Sequence, residues 1–140
     1  MCLHSVTIYE QPTTKARRAY KILEGNLSPF QHAHYPLGVW LEARPNNIRH
    51  DGKLHTVGDG LNISIYEAGF HSYPTRKEAR AALTFFKKER HSHRNWRVVQ
   101  VEVRGITSEG LDGTSFYPEF KKLKLRNLVS REIRLVNKKA

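Results

Sequence analysis

One segment of the sequence carries helix periodicity, and it stands between segments that alternate apolar and polar residues. Pro74 precedes Thr75-Arg76-Lys77-Glu78, a capping box in which Thr75 caps the first turn and Glu78 reaches back to its backbone N–H. Ala79, Ala82, Leu83 and Phe86 then recur at i, i+3, i+4 and i+7, which predicts one apolar stripe on a helix running to about Lys88. A lone helix with one apolar stripe needs a partner surface, and the rest of the chain supplies strands. Trp96 to Val103 is the strongest, with Val99, Val101 and Val103 on one face. Ala19–Leu23, Gly38–Leu41, Leu61–Tyr66 and Glu132–Val136 read the same way, and Lys121–Arg126 alternates Lys with Leu. Residues 1–18 show no clear period, whereas 44–60 and 105–115 carry turn chemistry. The expectation is an α+β fold over residues 1–140 as a single domain: a small mixed or antiparallel sheet with one main helix packed on it.

Length and composition narrow the class further. A 140-residue chain buries roughly two thirds of its unfolded surface, enough for a core without staples. The single cysteine, Cys2, excludes an internal disulfide and a zinc site built mainly on thiolates. No stretch approaches the ~20 apolar residues of a membrane helix, so a soluble, cytoplasmic protein without membrane contact is expected. No cofactor is indicated. Lys and Arg number 24 against 13 Asp and Glu, a formal charge of +11.

The spaced motifs Met1-Cys2-Leu3, Tyr20-Lys21-Ile22-Leu23, Ser28-Pro29-Phe30, Tyr35-Pro36-Leu37-Gly38, Gly69-Phe70-His71-Ser72-Tyr73 and Ser130-Arg131-Glu132-Ile133-Arg134-Leu135-Val136 carry a resemblance. The chain resembles a family of small uncharacterised proteins encoded by bacteriophages and prophages. That resemblance implies a phage-type origin and action in a bacterial host cell, with no settled activity. A strand followed by Gly-Phe-His-Ser-Tyr and a helix opening Thr-Arg-Lys-Glu-Ala is also distantly similar to the ADP-ribosyltransferase pattern. In that pattern Tyr20 would replace the usual opening histidine, and Glu102 or Glu132 would stand in for the catalytic carboxylate.

Three constellations suit chemistry, and each also suits a purely structural role. Cys2, if Met1 is removed, places a thiol beside an α-amine that can act as its base, as in an N-terminal-cysteine hydrolase; otherwise it is an idle terminal residue. His32-Ala33-His34 and His91-Ser92-His93 have the His-x-His spacing of metal ligands, with His50, His55 and His71 as possible third members. Both pairs sit in expected loops with few carboxylates nearby, so no metal site is expected. Gly69–Tyr73 should place His71, Ser72 and Tyr73 on the rim of a pocket at the helix N-terminus, where Arg76 and Lys77 add positive charge for a phosphate or nucleotide-like anion.

The clustering of charge points to a polyanionic partner. Arg76, Lys77, Arg80, Lys87 and Lys88 belong to the helix; Lys121, Lys124, Arg131 and Arg134 belong to the C-terminal segment. Aromatic residues lie among them, a composition that suits nucleic acid, and no sequence-reading DNA motif is present. The reading is an accessory protein that binds nucleic acid or a phosphate-bearing ligand. The alternatives are an enzyme using Tyr20, His71 or Cys2, and a counter-defence inhibitor of a host protein or ribonucleoprotein complex.

Overall fold

The computed structural model describes residues 3–28, 34–43, 54–57, 64–67, 69–89, 95–112 and 118–137. Its elements in chain order are β1 (Leu3–Ile8), β2 (Arg17–Glu24), β3 (Trp40–Glu42), β4 (Leu54–Val57), β5 (Ser64–Glu67), β6 (Phe70–Ser72), α1 (Arg76–Glu89), β7 (Trp96–Asp112), α2 (Pro118–Lys122) and β8 (Arg126–Asn137). The fold is α+β, with one main helix packed on a six-stranded antiparallel sheet.

The long strand β7 organises the sheet. Along one edge it pairs with β2 and then β1, and along the other with β8. The far edge of β8 takes β6 and β3. The next residue after β6, Tyr73, exchanges both backbone hydrogen bonds with Tyr20 of β2, at 2.7 and 2.8 Å. The pairings therefore close a ring, β2–β7–β8–β6–β2, which leaves no open edge where β2 and β6 meet.

Alternation then sorts side chains inside and outside that ring. Val99, Val101 and Val103 pack inward with Ala19, Leu23, Phe70, Ile133 and Leu135. On the outer face α1 lays Ala79, Ala82 and Phe86 against Ile22, Trp96 and Val98. Phe120 of α2 stacks on Phe86 with ring centres 5.0 Å apart. A fully buried phenylalanine such as Phe86 or Phe120 contributes about 1.5–3 kcal/mol, so this layer anchors the helix to the sheet. The β4–β5 hairpin covers a third cluster of Leu3, Tyr66 and Val129.

Three sequence expectations are corrected. Leu3–Ile8 is a strand although residues 1–18 show no clear period, because it pairs along the second half of β7. Residues 105–112 are not a turn-rich connection: β7 runs through to Asp112. Gly105 adopts φ +66°, and the register shifts between Ile106 and Ser108, so glycine serves a bend within a continuous strand. Lys121–Arg126 is not a strand; α2 ends at Lys122, Lys124 takes φ 51°, and β8 starts at Arg126. Burial of Phe120 and Leu125 outweighs the Lys–Leu alternation there.

Candidate nucleic-acid interface

Helix α1 presents two chemically distinct sides. Its apolar stripe is buried as described, while Arg76, Lys77, Arg80, Lys87 and Lys88 are all exposed. At 1.5 Å per residue these five cations extend over about 18 Å of helix. The acid of the first turn is turned away from them. Glu78 accepts the Thr75 hydroxyl at 2.9 Å, the Arg126 backbone N–H at 2.6 Å and the Arg126 guanidinium at 2.7 Å. Thr75 Oγ1 in turn accepts from the Glu78 N–H at 3.2 Å, so Thr75 caps the turn as expected, while Glu78 meets the Thr75 hydroxyl rather than its backbone N–H. The Glu78 carboxylate, however, serves β8 through Arg126. Burial pushes its pKa up, but the hydrogen bonds from Arg126 and Thr75 outweigh that and hold it below the usual carboxylate value.

The cationic side continues onto the sheet. The Arg76 guanidinium lies 5.5 Å from the Tyr20 ring centre, and Tyr20 faces Gln100 across β2–β7. With its amide turned to satisfy both groups, Gln100 accepts from Arg18 at 2.8 and 3.1 Å. Arg18 belongs to the basic run Lys15-Ala16-Arg17-Arg18, which sequence reasoning assigned to no site.

The C-terminal cations are placed differently from the expectation of one free field. Arg131 is bound by Glu67 of β5 at 2.8 and 3.0 Å. Arg134 pairs with Glu102 and lies 4.8 Å from the Trp40 ring centre. Arg104, bound to Glu132 at 2.5 and 3.1 Å, covers Trp40 at 3.9 Å. These guanidiniums alternate with carboxylates across β7 and β8 and are committed to holding strands together. Lys124 is exposed, and the side chain of Lys121 lies outside the described residues.

The proposed rim at the helix N-terminus is also corrected. His71, Ser72 and Tyr73 are 2%, 0% and 1% exposed, because they stand in a strand covered on both sides. His71 Nε2 is 3.4 Å from the Tyr66 hydroxyl, and Tyr73 donates to the buried Asp112 carboxylate at 2.6 Å. Burial, and then Asp112, push the Tyr73 phenol well above its ordinary value. Arg76 and Lys77 remain exposed at the first turn. Of the strand acids named as catalytic stand-ins, Glu102 and Glu132 are each neutralised by an arginine. Cys2 and His32, His50, His91 and His93 lie outside the described residues, as does the side chain of His55. Among the described residues no group of three or more potential metal ligands occurs, and no helix there is long and apolar enough to cross a membrane.

Sequence reasoning missed Lys21. It points into the ring between Ala19 and Leu23 and is only 6% exposed. Its signal was present: in Ala19-Tyr20-Lys21-Ile22-Leu23 both faces carry large apolar residues, so one face must bury the lysine. A search of protein-family models finds none that matches the chain, and no curated protein or solved structure is detectably similar to it.

Proposed function

We propose that the protein binds nucleic acid through the exposed side of α1, as a phage-type accessory protein acting in the cytoplasm of a bacterial host. The observation that carries this reading is the set of five exposed cations along one helix, with Glu78 drawn off that side by Arg126. Lys and Arg placed in this way neutralise phosphates and release condensed counterions, a gain that depends on salt rather than on base sequence. Arg18, two residues before Tyr20 on the same face of β2 and bound to Gln100, extends the positive track onto β2. Arg131 and Arg134 contribute less than their number suggests, because each is already paired with a carboxylate.

The test is a fluorescence titration with unrelated DNA and RNA duplexes and single strands at two salt concentrations. Binding should weaken with salt, with a logarithmic slope of roughly −0.9 per phosphate contact on B-DNA. Replacing Arg76, Arg80 and Lys87 together by Glu should weaken binding to all sequences alike. Absence of binding at low salt, or binding indifferent to salt and to the charge reversal, refutes the reading.

A further inference from the structure

Three strands place two matched rows of side chains on one face of the sheet. Thr7, Glu109 and Leu128 are aligned across β1, β7 and β8, and Ser5, Leu111 and Arg126 form the next row. These rows floor a groove of about 140 Å³, with Arg17 and Pro74 as further lining residues. Arg17 is the first residue of β2 and faces Val103, so it shares the inward face of the strand ring. The groove is therefore the mouth of that ring, and the buried Leu128 closes its floor.

The polar groups at this mouth are chiefly donors. Glu78 occupies Nε and Nη2 of Arg126, which fixes the guanidinium while leaving Nη1 for another acceptor. The Arg17 side chain makes no hydrogen bond or ion pair with the described residues. Ser5 and Thr7 are exposed and add two hydroxyls. Glu109 is the one acid among the described lining residues, and it accepts the Tyr9 hydroxyl at 3.0 Å. The row of Thr7, Glu109 and Leu128 continues onto Ser72, the partner of Leu128 in β6. The Ser72 hydroxyl is fully buried and has no hydrogen-bond partner among the described residues, an uncommon state for a buried polar group.

We propose that this mouth is a binding site for a phosphate group carried on a larger molecule. Two guanidiniums and two hydroxyls match the several acceptor oxygens of a phosphate better than the two of a carboxylate. A volume of about 140 Å³ is below the ~300–1,000 Å³ of pockets that enclose whole drug-sized ligands, so the rest of the molecule stays outside. The site is independent of the α1 reading, since none of the five exposed α1 cations lines it.

The test is an NMR titration of the full chain with inorganic phosphate, against sodium chloride at matched ionic strength. Saturable shifts at Ser5, Thr7 and the Arg17 side chain are expected, with a dissociation constant on the order of 1 mM. Arg17→Ala should weaken binding about tenfold, as loss of a charge-assisted contact does. Glu109→Gln should tighten it by removing the opposing charge, while the triple α1 reversal leaves it unchanged. A nucleic-acid end as the source predicts that a 5′-phosphorylated oligonucleotide displaces inorganic phosphate and its unphosphorylated twin does not; equal failure of both assigns the site to small phosphorylated molecules. Shifts no larger than those with chloride, or shifts indifferent to Arg17→Ala, overturn the proposal.

Discussion

The ammonium group of Lys21 donates to the backbone carbonyl of His71 at 2.5 Å inside the closed ring of strands. Its other close neighbour is the Tyr35 ring, 5.6 Å away. The bridge between Tyr20 and Tyr73 makes this contact possible, because it brings β2 against β6. A charged amine there has lost its water and gained one carbonyl and a π face, a poor exchange. Burial accordingly pushes its pKa down to about 8, with Asp112 pulling weakly the other way.

Lys21 should make stability rise with pH. From about pH 8 the folded chain releases the Lys21 proton, while the unfolded chain keeps it to about 10.4. The unfolded state binds more protons in that window, so unfolding becomes harder as pH increases. Above about pH 10 the raised phenols of Tyr35 and Tyr73 reverse the slope, since the unfolded chain loses those protons first. Lys21→Met should stabilise the protein at pH 7 by about 1–3 kcal/mol and flatten the rise between pH 8 and 10. Urea unfolding at three pH values measures both effects.

Thr75→Ala should cost about 1 kcal/mol through loss of the helix cap. Glu78→Gln should also destabilise, because Arg126 then loses its ionic partner at 2.7 Å. The Glu78 pKa is held low in the folded state, so its contribution is present above the ordinary carboxylate pKa and disappears as pH falls through the folded value. The difference between wild type and Glu78→Gln should therefore shrink on acidification, which thermal melts at pH 7 and pH 3 would show.

Gly110→Ala should be the most damaging small substitution in β7. A Cβ there would collide with the Ser5 carbonyl oxygen and approach Leu3 Cδ1 to 3.1 Å. The backbone of β1 would have to move off β7, at a cost of about 3 kcal/mol or more. Loss of amide protection across Leu3–Ile8 in hydrogen exchange would report it.

Arg134→Ala should separate structural from binding arginines. It removes the partner of Glu102 and a cover of Trp40, so it should lower thermal stability while leaving the salt slope of nucleic-acid binding unchanged. Lys87→Glu, at an exposed position of α1, should do the reverse. A salt slope reduced equally by both would mean that the β7–β8 face takes part in binding.

Helix α1 and the inward valines of β7 were legible in the sequence because their causes are local. A cap, a 3.6-residue stripe and a two-residue alternation act over a few neighbours, and no distant contact in this fold opposes them. The positive charge of α1 was legible for the same reason: side chains opposite a buried stripe face water. What only the tertiary structure decided depends on closure of the sheet. Gly105 and Gly110 look locally like turn residues, yet pairing with β1 and β8 carries β7 through both. Closure through Tyr20 and Tyr73 buries His71, Ser72 and Lys21, which local pattern would leave at a rim or in solvent. Long-range ion pairs withdraw Arg131 and Arg134 from the free surface, because a cation is available to a ligand only after its nearest carboxylate is known. That neighbour lies 64 residues away for Arg131 and 32 for Arg134, a separation that no local reading spans.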